Sequence, residues 1–574
     1  MDKKQISKIL KEMAVMMEII GSNPFKVRAH ENAARILEGL TDSLSDLVAS
    51  GEITKIKGIG KGTAEKITRL LNDEELDEYN ELKASIPPGV LEMTNISGMG
   101  PKKIRAIWEE QGIESIDELE AACKADKLSA MKGFGKKTQE KILHNIELLR
   151  KFKDSFLLSE AKTAGDELLA AVREFSGVIR AEVAGSLRRS KEIVKDVDIV
   201  VSAEDKDRPQ IMQKFTMLPG VESIVGQGDT KSSIVLQSGI NADLRIVSDQ
   251  QFPNTLHHFT GSKEHNVALR QRAISMGMKV SEYGLFRGDE LVPCETEQEL
   301  FSHLGLSFIP PELRENFGEI EAAAENKLPE LLKADDIRGI IHTHTTWSDG
   351  ANTVEEMARG CQEFGYEYIV ITDHSKAAAY ANGLSEERIK KQHAEIDEVN
   401  SRLENFRIIK GIECDILPDG SMDYDDEVLA SFEVIVASIH SKFGMTEKEA
   451  TDRVIRALEN PYVTILGHLT GRLLLSREGY PLDQRAVIEA AGELGVSIEI
   501  NANPHRLDLD WRYCQYAIEK GVMISVNPDS HRVSGFSDMQ YGIGMARKGW
   551  LSKKQVLNTY AAEELLQFAN KRRH

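Results

Sequence analysis

Residues 184–202 read AGSLRRSKEIVKDVDIVVS. The second half of this stretch is β-rich, so Asp196 and Asp198, two residues apart, put both carboxylates on one face of a strand. A third acid, Asp243 in NADLRIV, lies in another short β-rich run and can come from a neighbouring strand. Three convergent carboxylates can hold two divalent ions about 4 Å apart, one activating an attacking oxygen and the other stabilising a leaving pyrophosphate. Upstream, Gly185 and Ser186 with Arg188 and Arg189 offer backbone N–H, hydroxyl and guanidinium donors for a triphosphate. An isolated DxD is usually a solvated strand end. The GSxRR before it and the third acid after it point instead to nucleotidyl transfer.

Around this stretch the runs EVAGS, SSIVLQS and NADLRIV read as short strands, with helical patterns at 157–175 and 207–217 and another over 262–277. Before residue 150 the period is helical, as in Ile6, Ile9, Leu10, Met13 and Met17. There a motif occurs three times: IKGIGKGTAEKI from Ile56, ISGMGPKKIRAI from Ile96 and MKGFGKKTQEKI from Met131. Each copy places a GxG turn before a Lys-bearing helix, which exposes backbone N–H groups able to hold a phosphate oxygen. One copy would be helix punctuation; three point to DNA-backbone binding through Gly58, Gly60 and Lys61, Gly98, Gly100 and Lys102, and Gly133, Gly135 and Lys136.

Behind an acidic, Pro-interrupted segment (316–335), strand-like runs alternate with helical stretches, the pattern of parallel βα units closing into a barrel. Nine metal-ligand types end those runs: His342, His344, Asp349, His374, Glu413, His440, His468, Asp529 and His531. Barrel active sites gather at strand C-termini. Imidazole with carboxylate suits Zn, Mn or Fe rather than Ca, and nine ligands can hold up to three ions, with Glu413 as a bridge. Arg472 and Arg506 are weaker candidates for gripping phosphate; for either alone a salt bridge is the simpler role.

The bulk properties agree. At about 150 residues per domain, 574 residues make roughly four domains, and 41 % hydrophobic content supplies real cores. There is no run long and apolar enough for a membrane span, and no signal-peptide pattern. Five scattered cysteines without a CxxC pair fit a reducing cytoplasm. The net charge of −20 is unusual for a DNA-binding chain, but residues 1–154 hold 25 Lys and Arg against 26 Asp and Glu. That leaves the front near neutral and −19 behind it, where bound metal can offset some of the acid.

On GSLRR with DxD, and on HFTGS (258–262) followed by NVALRQRAISMGMKVSEYGL, residues 1–315 resemble family X DNA polymerases, the group that includes polymerase beta. The resemblance implies that Asp196 and Asp198 bind both metals and that Asp243 joins the catalytic ion. It puts Gly185, Ser186 and Arg189 on the triphosphate and Phe259 and Gly261 along the sugar. Asn266, Arg270 and Tyr283 fall near the nascent pair. His258 stands where the family commonly has Tyr. Lys66 takes the place of the family's Schiff-base lyase lysine, with Lys26 and His30 nearby, although Gly62 replaces a supporting lysine and a simple phosphate contact stays open.

Residues 336–574 resemble the PHP (polymerase and histidinol phosphatase) domain, with all nine ligand positions filled. That resemblance implies His342, His344, Glu413 and Asp529 on one ion, Glu413, His440 and His468 on a second, and Asp349, His374 and His531 on a third.

The expected architecture is multidomain α+β and α/β. A helical lyase-like domain (1–85) is followed by a second helix-hairpin-helix domain (86–155). Then come a nucleotidyltransferase palm (156–250), a thumb (251–315), a linker (316–335) and a (β/α)7-type PHP barrel (336–574). The expected activity is gap-filling DNA polymerisation in base excision repair, with 3′–5′ exonuclease and abasic-site endonuclease activity at the barrel. Expected cofactors are Mg2+ or Mn2+ at the palm and two or three Mn2+ or Zn2+ ions at the barrel. Expected partners are gapped or primed DNA, deoxynucleoside triphosphates and other repair proteins, in the cytoplasm and away from membranes. Two other readings stay open: a barrel acting as a small-molecule phosphatase of the histidinol-phosphatase type, and a DNA-binding scaffold.

Overall fold

The computed structural model of the chain describes residues 1, 3–40 and 43–573. They form two compact units, one built on Met1–Lys153, the other on Asp154–Leu474, Glu478–His531 and Gly535–His574. Among the described residues no helix is long and apolar enough to cross a membrane.

The first unit is helical. α1 (Lys3–Ile19) buries Ile6, Leu10, Met13 and Met17 along one stripe, as their four- and three-residue spacing requires. α2 (Pro24–Gly39) packs beside it. α3 (Lys61–Leu71), α4 (Pro101–Gln111) and α5 (Lys136–Lys151) each begin directly after the second glycine of a hairpin. The apolar residue between the glycines, Ile59, Met99 or Phe134, is buried in the common core. It anchors each turn and leaves the glycines outward.

The second unit opens with α6 (Leu158–Arg173) against a five-stranded mixed sheet. Its strands are β1 (Val178–Val183), β2 (Asp196–Ala203), β3 (Val221–Gln227), β4 (Lys231–Leu236) and β5 (Asn241–Val247), in the order β1-β2-β5-β4-β3. β2 and β5 run parallel, while the other pairs are antiparallel. α7 (Phe252–Thr260) covers one face through Phe252 and Leu256, which join Val200 and Val247 in a buried cluster. α8 (Lys263–Ser275) leads into a three-stranded antiparallel sheet.

Residues 316–335, read as a linker, carry α9 (Glu319–Ala324). Its Ile320 and Ala323 lie in one buried cluster with Leu269, Leu300 and Phe301. Glu319 is fully buried and accepts from His265 Nδ1 at 2.6 Å and from two backbone N–H groups. The acidic composition of this segment hides an apolar face and a paired acid, so it packs as part of the core in front of it.

Seven parallel strands follow in chain order: β6 (Gly339–Thr343), β7 (Tyr368–Ile371), β8 (Arg407–Asp415), β9 (Val434–Ser438), β10 (Ile465–Leu466), β11 (Ser497–Asn501) and β12 (Ile524–Asn527). Their apolar residues are buried, as strands covered on both faces require. A bridge between Thr343 and Ser530 joins the first strand to the end of the last, with His344 N–H donating to Ser530 O at 2.8 Å. α10 (Met539–Lys548) packs against β12.

Candidate functional site

At the palm, Asp198 and Asp243 are direct partners across β2 and β5, and Asp196 lies two residues along the same face. Burial, and then the charges of Asp196 and Asp243, push Asp198 up to about 7. Burial and Asp243 raise Asp196. The only cation in hydrogen-bond range of the triad, among the described residues, is Lys231, whose Nζ lies 2.7 Å from Asp243 Oδ2. Three acids that repel one another with one such counter-charge fit a divalent-ion site. Gly185 closes the site from above. Its φ is +63°, and a Cβ there would fall 2.2 Å from Asp198 Oδ2. The turn needs glycine both for its conformation and for this approach.

The arginines behind Ser186 are engaged elsewhere. Arg188 forks onto Glu297 at 2.7 and 3.2 Å and donates to Thr260 Oγ1. Arg189, expected on the triphosphate, is buried, donating to Thr260 O at 2.6 Å and to Glu315 Oε1 at 3.1 Å. A largely covered acid and a buried carbonyl hold the planar fork of Arg189 inward. Lys548, at the end of α10 and fully buried, completes this knot. It donates to Arg189 O at 3.0 Å and to Glu315 Oε1 at 2.5 Å. Phe259 lies under the guanidinium of Arg245, 4.5 Å from ring centre to Cζ. Asn266 donates to His258 O at 2.7 Å, and Arg270 to Asn266 O. Gly261 leaves room for Asn266, since a Cβ would meet its Oδ1 at 2.6 Å. Tyr283 is exposed.

At the barrel the nine expected ligands form one connected cluster, with five of the histidines on Glu413 and Asp349, Asp529 and His531 joined through those histidines. His374 Nδ1 lies 2.9 Å from the Glu413 carboxylate, His468 Nε2 3.0 Å, His342 Nε2 and His440 Nε2 each 3.2 Å, and His344 Nε2 3.6 Å. Burial alone would raise Glu413, but His440, His342 and His374 overcome it and hold the carboxyl well below its usual range. Three groups of ligand atoms lie close enough to share an ion: His344, Asp349, His374 and His531; His342, His344 and Asp529; and His374, Glu413 and His440. His344 and His374 are each shared between two groups, whereas the resemblance put each of them on a single ion. Despite these close approaches, both ring nitrogens of His344, and His342 Nε2, His374 Nδ1 and Glu413 Oε2, are buried and make no aligned hydrogen bond. Buried orphan donors and acceptors of this density fit bound metal. His342 and Asp529 also hold left-handed backbone, φ +64° and +51°, strain of the kind found at functional sites.

In the helical unit the first hairpin glycines have φ +101° (Gly58), +80° (Gly98) and +91° (Gly133), conformations that suit glycine. Gly60, Gly100 and Gly135 are N-caps with no side-chain cap bond, so first-turn N–H groups are left for an anion. Lys66 donates to His30 Nε2 at 2.8 Å and pairs with Glu78 at 2.5 Å. Burial lowers the pKa of His30, whose Nδ1–H donates to Lys26 O.

Four family matches follow the chain: a helix-hairpin-helix domain over 1–76, a SAM-like helix-hairpin-helix tandem over 90–146, the DNA polymerase beta thumb over 255–315 and the PHP domain over 341–503. The chain is 40 % identical over 573 residues, 99 % of each chain, to the DNA polymerase/3′-5′ exonuclease PolX of Bacillus subtilis (strain 168). The chain belongs to the bacterial PolX family. Other relatives match parts of this PolX chain. A probable phosphatase of Thermoanaerobacter sp. (strain X514) is 28 % identical over 38 % of the chain and 89 % of its own length. DNA polymerase lambda of Rattus norvegicus is 25 % identical over 46 % of the chain and 48 % of its own length.

The PolX barrel also holds two acids that support its ligands from behind, Glu499 and Asp415. Glu499 accepts from His342 Nδ1 at 2.6 Å, from His468 N at 2.7 Å and from Asn527 at 2.8 Å. Asp415 lies 3.0 Å from His440 Nδ1. A lone acid inside the apolar run VSIEIN is a signal, because such a residue must be buried with a partner. Arg472 is committed to Asp510 at 2.9 Å and to backbone carbonyls, the salt-bridge role. Arg506 Nε lies 3.6 Å from Asp529 Oδ2.

Proposed function

We propose that this PolX chain fills short gaps in DNA from deoxynucleoside triphosphates and trims 3′ ends at a second, separate site. One observation carries the reading: an all-carboxylate cluster on the palm sheet and an imidazole-rich cluster around Glu413 in the barrel, with no residue in common. Bound at these two clusters, divalent ions (Mg2+ or Mn2+ at the palm, two or three Mn2+ or Zn2+ at the barrel) would supply charge neutralisation and acidification of the attacking hydroxyl or water. Asp196 and Asp198 would hold the nucleotide's ions, and Asp243 would face the primer 3′-hydroxyl. The Gly185–Ser186 turn would offer its donors to the triphosphate. In the barrel, Glu413 and the histidines around it would hold the scissile phosphate's ions, with Asp349 and His531 on the solvent side of the cluster. The hairpins would grip the DNA backbone without reading sequence. Cutting at abasic sites would use the same barrel ligands. Five buried, unpaired cysteines support work in a reducing cytoplasm.

The test is primer extension and 3′ degradation on gapped DNA with Mg2+ or Mn2+. Asp196→Ala with Asp198→Ala is expected to remove extension and spare degradation; His342→Ala with His344→Ala is expected to do the reverse. If each pair removes both activities, the two-site reading fails. A lyase role for Lys66 belongs to the same proposal. Borohydride trapping of an abasic-sugar adduct by the wild type, and not by Lys66→Ala, would support it.

A further inference from the structure

The segment after the ligand His374 is a short loop, Ser375 to Leu384, tied at many points. A parallel bridge joins Ser375 to Leu384, and Leu384 N–H donates to His374 O at 2.9 Å. Gly383 passes so close to Ser375 that a Cβ would lie 1.9 Å from its carbonyl oxygen. Asp423 accepts from Ala377 N–H at 2.7 Å, and Tyr424 donates to Leu384 O at 2.5 Å. Arg388 donates to Asn382 O at 2.6 Å and to Gly383 O at 3.2 Å. Ala378 and Ala381 are buried, yet Tyr380 between them is 72 % exposed. Its ring centre lies 6.3 Å from that of His374.

A single exposed aromatic on a surface is ordinary. This one is held out by a loop whose flanking residues are fixed, directly beside a ligand of the barrel cluster. It does not contribute to the core, and its backbone is not free to fold it away. An outward, pre-positioned ring of this kind suits stacking on a flat apolar face.

We propose that Tyr380 stacks on the base of the terminal nucleotide whose phosphodiester is cleaved at the barrel cluster. It thereby makes the barrel selective for nucleic-acid ends over compact phosphate esters. The proposal rests on the exonuclease reading above and adds the substrate feature that the site recognises.

The experiment uses the full chain with Mn2+ and two single-stranded oligonucleotides. One ends in an ordinary 3′ nucleotide, the other in a baseless tetrahydrofuran sugar. The wild type is expected to favour the ordinary end by about tenfold in kcat/KM, the scale of one base stacked on one ring. Tyr380→Ala is expected to bring that ratio close to one, chiefly through KM, and Tyr380→Phe to keep it. The ratio is taken within each variant, so it does not depend on how much of the protein is folded; metal content by mass spectrometry reports separately on the cluster. A wild-type preference retained by Tyr380→Ala overturns the proposal, as does a wild type indifferent to the base. Loss of the preference in Tyr380→Phe would overturn it as well, since a hydroxyl would then be the recognising group. A wild type that degrades neither oligonucleotide fails the exonuclease reading itself, before any variant is compared.

Discussion

His342 Nδ1 lies 2.6 Å from Glu499 Oε1, and both side chains are fully buried. The carboxylate fixes the imidazole with Nε2 turned to the ligand cluster, the usual arrangement of a metal-binding histidine and its outer partner. Glu499→Gln is expected to weaken metal binding at the barrel by about tenfold to a hundredfold, with a matching loss of 3′ degradation at limiting metal. Primer extension is expected to persist. Equilibrium dialysis with metal analysis checks this, and unchanged affinity would show that His342 needs no such support.

The palm acids make a pH prediction for the metal-free protein. Asp198 is raised to about 7 by burial, Asp196 and Asp243, against about 3.9 when unfolded. An acid whose folded pKa is raised lowers stability progressively as pH climbs from the unfolded value through the folded one. In chelator, Asp198→Asn is therefore expected to raise the thermal midpoint at pH 8, with the gain shrinking toward pH 5. A gain that is larger at pH 5 than at pH 8 would contradict the repulsion among the three carboxylates.

Gly185→Ala places a methyl 2.2 Å from Asp198 Oδ2 in left-handed backbone. The expected cost is about 1–3 kcal/mol of stability, and extension is expected to fall steeply as the carboxylate is displaced. Calorimetry and single-nucleotide incorporation measure the two effects, and 3′ degradation by the same preparation is expected to continue.

Lys61 and Lys136 stand at the first positions of hairpin helices, exposed. Lys61→Ala and Lys136→Ala are each expected to lower the slope of log K against log salt by about one. Affinity should drop equally for unrelated DNA sequences. A sequence-dependent loss in a fluorescence titration would mean that these lysines do more than meet phosphate.

Much of both sites was legible because their residues announce themselves locally. Asp196 and Asp198 are two apart in a β-rich run, so strand alternation alone puts them on one face, and the barrel ligands sit where strand-like runs stop. Other features depend on distant partners. Glu499 stands out as a lone acid in an apolar run, but nothing local says that its partner is His342, 157 residues away. On sequence, Arg189 belongs to a donor-rich turn that suits phosphate; Glu315 and Lys548, far along the chain, draw it inward. The segment 316–335 looks like a connector because it is acidic and interrupted by Pro329, but Ile320 and Ala323 are spaced to share one helix face and Glu319 is paired. Composition cannot tell a paired buried acid from a solvated one.

The knot of Arg189, Glu315 and Lys548 has a corollary for truncation. A gene shortened to its polymerase half would lose Lys548 and leave Arg189 as the close partner of Glu315, removing one arm of the knot beneath the nucleotide turn.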